Sequence, residues 1–214
     1  MLRDYFIQGG PLMWPLLACS VFSLAVILER ALFWTVLRRR RRQDLVRRVL
    51  ELCAGRRFDE AADAAEGGDP AVRVLAEGLR AAATGPAEAM QVAASEELAK
   101  MRRGLGALDT IVTVAPLLGI LGTVLGIIEA FHMLKGTQIT EPQAVVGGLA
   151  EALITTAAGL FVAIGTVIPY NVLRSRVSGE ARRIEAAATL LEAAWKAAGS
   201  PAGAAAPTAA EGRA

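Results

Sequence analysis

Three apolar runs constrain this chain more than any other feature. They cover residues 12–37, 108–134 and 144–172. Each exceeds the roughly 20 residues that a helix needs to cross a bilayer core. The first is interrupted only by Glu29 and Arg30 near its end. None has the pattern of an amphipathic helix, so burial inside a soluble protein is the weaker explanation. The surplus is visible in composition, with 54% apolar and only 21% charged residues. These features predict an all-α integral membrane protein with three transmembrane helices and argue against a compact soluble enzyme. A net charge of +2, with both signs mixed in the polar parts, gives no basis for nucleic-acid binding. Cys19 and Cys53 cannot form a disulfide framework, and a lone His132 excludes a histidine-rich metal site. No Ser/His/Asp or Cys/His set points to an enzyme, and no resident cofactor is expected.

Basic residues predict the topology. Of 23 Lys and Arg, 14 lie in 38–103 and six follow the third run. The positive-inside rule then places segment 38–107 and the carboxyl terminus in the cytoplasm. Residues 1–11 and 135–143 fall on the outer side. Arg38 to Arg42, directly after span one, read as a stop-transfer signal touching anionic lipid heads. Span one has no basic flank before it and is too long for a signal-peptide core, so no cleavable leader is expected.

The polar segment reads as helices. Leu45, Val46, Val49, Leu50, Cys53 and Phe58 predict one amphipathic helix over 43–66. Gly67-Gly68-Asp69-Pro70 is a break, with Asp69 as N-cap and Pro70 at the first helical position. A helix to about residue 83 follows. Another is expected from Ala87, with nothing to stop it before span two. Span three is expected to continue through 173–198. Two spans would thus extend into a cytoplasmic helical bundle, with 199–214 as a disordered Ala/Gly/Pro-rich tail.

Small residues mark two faces. Gly119, Thr123, Gly126 and Ala130 recur along span two, and Gly122 and Gly126 form a GxxxG pair beside them. Gly148, Ala152, Thr156, Gly159, Ala163 and Thr166 do the same along span three. Such faces let helices approach closely in lipid and predict a homo-oligomer. Pro116 predicts a kink in span two. Thr123 and Thr156 fall near mid-span. Glu151 lies about two turns from the outer end, and intramembrane carboxylates usually serve ion paths. Thr155, next to Thr156, reads as lying off the small face. Glu151 and Thr156 are five residues apart, about 140° around a helix. Either a wide face lines one path, or Glu151 serves a subunit contact and Thr156 the lumen.

At these residues a resemblance becomes specific. The chain resembles the ExbB/TolQ/MotA proton-channel family, and within it most resembles ExbB. Gly9-Gly10-Pro11-Leu12-Met13-Trp14-Pro15 with Leu28-Glu29-Arg30 is similar to the family's first span. Ala115 to Gly126 is similar to its second-span signature, Glu151 to Leu160 to its third, and Tyr170-Asn171 to that span's inner end. The resemblance implies an inner-membrane homo-oligomer, a pentamer, working with protons as coupling ion. It implies an ExbD-like single-span partner with a membrane aspartate and a TonB-like periplasm-spanning protein. The family's polar positions carry over as Thr123, Glu151 and Thr156. One departure is that Ala163-Ile164 is followed by Gly165, with proline only at Pro169. TolQ-like and gliding-motor stators remain open, as do Na⁺ in place of H⁺ and a passive scaffold without an ion path.

Overall fold

A computed structural model describes residues 9–81, 85–135 and 142–198. The expectations for the first eight residues, for most of the outer loop 135–143 and for the tail 199–214 lie outside the described residues. Among the described residues there are helices and no strands. In chain order they are α1 (Met13–Arg40), α2 (Gln43–Ala54), α3 (Phe58–Ala64), α4 (Pro70–Arg80), α5 (Pro86–Arg102), α6 (Leu105–Lys135) and α7 (Pro142–Ala197). The chain divides into two compact units. An apolar unit comprises 1–32 and 103–175, and a polar unit comprises 33–102 and 176–214.

In the apolar unit, α1, α6 and α7 are each long and apolar enough to span a membrane. Their outer faces leave Phe22, Leu121, Val124, Ile164 and Ile168 exposed, and Phe161 is 80% exposed. Water would penalise such a surface, whereas lipid solvates it without cost. The inner side is small and tight. Leu16, Ile111, Ala115 and Ala163 form its buried cluster, with Met13, Cys19 and Leu118 packed against it. Pro116 and Pro169 both lie inside unbroken helices. Each removes the N–H that would bond the carbonyl four residues back.

The polar unit has a conventional core. Val49, Cys53, Val72, Val74, Leu75, Met101, Ile184 and Leu191 are buried there. Asp69 caps α4, its Oδ1 accepting from the Ala71 N–H at 3.0 Å, and Pro70 occupies the first turn. The Phe58 and Trp195 rings meet edge to face with centroids 5.2 Å apart.

Two expectations are corrected here. The single helix over 43–66 is two helices. Gly55 ends α2, and Arg56 takes a left-handed φ of 60° before α3 begins. The Arg57 N–H returns to the Leu52 carbonyl at 2.9 Å, which closes the turn. Span two does not run on from the preceding helix either. α5 ends at Arg102, and Gly104 has φ +80°. A Cβ at Gly104 would also meet Val26 Cγ1 at 2.9 Å, so both backbone and packing require glycine there. Only α1 and α7 continue unbroken from apolar into polar sequence.

Cys53 gives a direct test of the polar core. It is fully buried, and burial pushes its thiol up to about 11. The thiolate is the reactive form. Cys53 is therefore expected to resist alkylation at pH 7.5 in the folded protein and to react once the chain is denatured. Mass spectrometry of the alkylated chain reads this out. Rapid native labelling at Cys53 would mean that α2 does not pack as described.

Candidate functional site

The seam between α6 and α7 is built from the smallest side chains available, and the backbones nearly touch. The helices run antiparallel, with Ala115 beside Gly159, Gly122 beside Thr155, and Gly126 beside Gly148 and Ala152. A Cβ at Gly159 would stand 2.5 Å from the Ala115 carbonyl oxygen. One at Gly119 would stand 3.1 Å from Thr156 Cα, and one at Gly126 would stand 3.0 Å from the Gly148 oxygen. In lipid, close approach of this kind supplies the van der Waals contact that holds helices together. The small faces therefore face each other within one chain. Gly119, Gly122, Gly126, Gly148 and Gly159 thus pack helix against helix within the chain, and the small faces carry no argument about oligomer state.

Hydroxyls sit in the middle of this seam. Thr156 Oγ1 donates to the Gly119 carbonyl across it at 2.7 Å. Thr123 Oγ1 instead donates to the Ile120 carbonyl of its own helix at 2.6 Å. The two mid-span threonines thus have separate partners, and no bond joins them. Thr166 is buried and bonds the Val162 carbonyl at 2.8 Å within α7.

Thr155 corrects the reading that it lies off the small face. It is 2% exposed, against the half-exposure of Thr156, and a Cβ at Gly122 would strike its Cγ2. Its hydroxyl lies 2.8 Å from the Gly9 carbonyl and 2.9 Å from the Glu151 carbonyl, so its one proton is shared between two acceptors. Glu151 is half-buried beside it. Its carboxylate occupies the space where a side chain on Gly10 would sit, and Gly10 has φ +70°. Gly9 and Gly10 therefore belong to this site, although the sequence marked them only as part of the first-span resemblance and not as site residues. Glu151, Thr155, Glu129, His132 and Gly122 line an open pocket of about 460 Å³. Glu151 thus shares a cavity with two other titratable groups, and Thr156 is not among the residues lining it.

Glu29 is paired close by, with Arg30 Nε donating to it at 2.8 Å. Among the described residues no group of three or more His, Cys, Asp or Glu is arranged to hold a metal ion.

The structure defines a class: an all-helical, three-span membrane protein with a hydroxyl-bearing small-residue seam between its second and third spans. The family model described as "MotA/TolQ/ExbB proton channel family" matches residues 68–186. The chain is 38% identical over 202 residues to a protein named biopolymer transport protein ExbB-like 1 from Synechocystis, covering 89% of this chain and 78% of that one. It is 32% identical over 180 residues to the biopolymer transport protein ExbB of Salmonella typhimurium, covering 76% and 71%. It is 43% identical to the Tol-Pal system protein TolQ of Haemophilus influenzae over 94 residues, covering 44% and 41%. The chain belongs to the MotA/TolQ/ExbB proton channel family. It is a multi-pass membrane protein of that family, of the bacterial inner-membrane type.

Proposed function

We propose that the chain is an ExbB-type subunit of an inner-membrane motor that turns proton flow into mechanical work. In this reading it forms a homo-oligomeric ring, a pentamer. The ring surrounds an ExbD-like single-span partner whose membrane aspartate takes the proton. The work passes to a TonB-like periplasm-spanning protein. The amino terminus is periplasmic, and the polar unit and carboxyl terminus are cytoplasmic. The ExbB-type reading is preferred because ExbB relatives match along most of the chain, whereas the TolQ match is confined to under half of it.

The observation that carries the reading is the placement of Thr156. A hydroxyl near mid-membrane bonds a carbonyl of the neighbouring span, so a small shift of the seam exchanges its partner. A proton crossing the membrane releases roughly 2.3 kcal/mol per 100 mV. An interhelical hydrogen bond in lipid contributes about 0.6 kcal/mol on average. One proton's energy is thus ample to rearrange such a contact. Glu151, in its open pocket nearer the outer end, is a titratable group on the same span.

The test is Thr156→Val, which keeps the volume and removes the hydroxyl. At equal membrane abundance, energy-dependent uptake or motor activity is expected to fall by more than about tenfold, equivalent to about 1.4 kcal/mol. Glu151→Gln should show a milder loss, because it keeps hydrogen bonding and cannot titrate. Thr155 is buried in the seam and is unsuitable as a neutral control. Thr113→Val serves instead, since Thr113 is exposed and bonds only the Asp109 carbonyl of its own helix. Full activity of the combined Thr156→Val, Glu151→Gln variant would favour a passive scaffold.

A further inference from the structure

Three arginines in the polar unit surround a pocket without carboxylate partners of their own. The pocket has a volume of about 250 Å³ and is lined by Trp34, Leu37, Arg38, Arg41, Arg176 and Arg183, among others. Arg183 is committed, since its guanidinium bonds both Asp69 and Glu180. Arg38, Arg41 and Arg176 form no ion pair among the described residues. Among the described residues Glu180 is the only carboxylate on the wall, and Arg183 already neutralises it. The pocket therefore carries a surplus of positive charge.

A second observation concerns Trp34, which is only 6% exposed and whose indole Nε1 is buried without a hydrogen-bond partner. Trp34 lines the pocket whose other walls supply the positive charge.

Sequence position says what anion the positive charge would meet. Trp34 and Leu37 are among the last apolar residues of span one, and Arg38 begins the basic run. Arg176 follows the end of apolar run 144–172 by one helical turn. Two span ends thus contribute to one basic pocket. Trp at a span end and Arg just beyond it occupy headgroup depth. The volume lies below the roughly 300–1,000 Å³ of drug-sized ligand sites and suits a headgroup.

We propose that the pocket of Trp34, Arg38, Arg41 and Arg176 binds the phosphate headgroup of an anionic phospholipid. The guanidinium groups neutralise the phosphate, Trp34 supplies an apolar wall beside it, and the acyl chains lie along the apolar end of α1. Arg183, held by Asp69 and Glu180, forms the rigid back wall.

The experiment uses the full chain in detergent, with phosphatidylglycerol, phosphatidylcholine or inorganic phosphate added. Native mass spectrometry counts retained lipid, and thermal melting reads stabilisation. Phosphatidylglycerol is expected to remain bound at one per chain and to raise the melting temperature, while phosphatidylcholine does neither. Arg41→Gln with Arg176→Gln should weaken retention by roughly tenfold or more. Arg39→Gln with Arg48→Gln removes equal charge outside the pocket and should weaken it far less. Equal loss in both pairs would show diffuse attraction to the basic run and overturn the site. Equal stabilisation by inorganic phosphate would make the ligand a soluble phosphate and overturn the lipid assignment. Equal retention of phosphatidylglycerol and phosphatidylcholine by the wild-type chain would overturn the proposal without any variant.

Discussion

Gly159→Ala is expected to destabilise the apolar unit by about 2–4 kcal/mol, although it adds a single methyl group. Its Cβ would stand 2.5 Å from the Ala115 carbonyl oxygen and 3.0 Å from Gly119 Cα. Both are backbone atoms, which cannot rotate away, so α6 and α7 must separate. Overpacking ordinarily costs about 1–3 kcal/mol. Separation would also stretch the Thr156–Gly119 hydrogen bond, worth up to about 1.7 kcal/mol in a membrane. Gly165→Ala is the matched comparison. It lies on the same helix, and its added Cβ would meet nothing within 4 Å. There the gain in helix propensity, roughly 0.5–1 kcal/mol, should be neutral or slightly stabilising. The two variants are compared by thermal aggregation midpoint in detergent at equal concentration. Equal midpoints would refute the described seam, and with it the placement of Thr156. Activity alone would not separate these cases, since a loosened seam and a lost proton path both abolish work.

What was legible in the sequence followed from features that act locally or by bulk. The three spans needed only apolar length. Asp69-Pro70 was readable because a cap is a contact between residues two apart. Gly104 was not readable, because Gly104 and Gly106 between a helical run and a span are compatible with a continuous helix. Its requirement comes from Val26, far away in sequence, and from a backbone angle. Thr155 and Thr156 illustrate the same limit. Adjacent residues on a helix point about 100° apart, so periodicity can assign them to different faces. It cannot say which face meets Gly9 and which meets Gly119. The small faces were visible as a pattern, but not whether their partner would be another span of the same chain or a second copy. That depends on the antiparallel register of α6 and α7, which spacing within one helix does not contain.

Asp69→Ala is expected to open the polar unit around α4 by about 3 kcal/mol. Asp69 is completely buried and serves three donors at once. Oδ1 caps the Ala71 N–H, while Oδ2 accepts from the Arg42 N–H at 2.7 Å and from the Arg183 guanidinium. One side chain thereby ties together the turn after α1, the start of α4 and the middle of α7. Losing a cap costs about 0.5–2 kcal/mol. Breaking a buried pair costs about 3–5 kcal/mol, because the partner charge stays behind. Glu180 still holds Arg183, so the total should lie near the lower end of that range, about 3 kcal/mol. Asp69→Asn keeps an oxygen for the cap and loses the charge, so its cost should be smaller. Hydrogen exchange of the full chain reads this region by region. In Asp69→Ala, the amides of Val72, Val74 and Leu75 should exchange roughly a hundredfold faster. The amides of α6 around Gly119 belong to the other unit and should be unchanged. Protection of α4 that survives the substitution would show that packing of Val72, Val74 and Leu75 holds the helix without Asp69. The buried carboxylate would then have no structural role large enough to explain its desolvation.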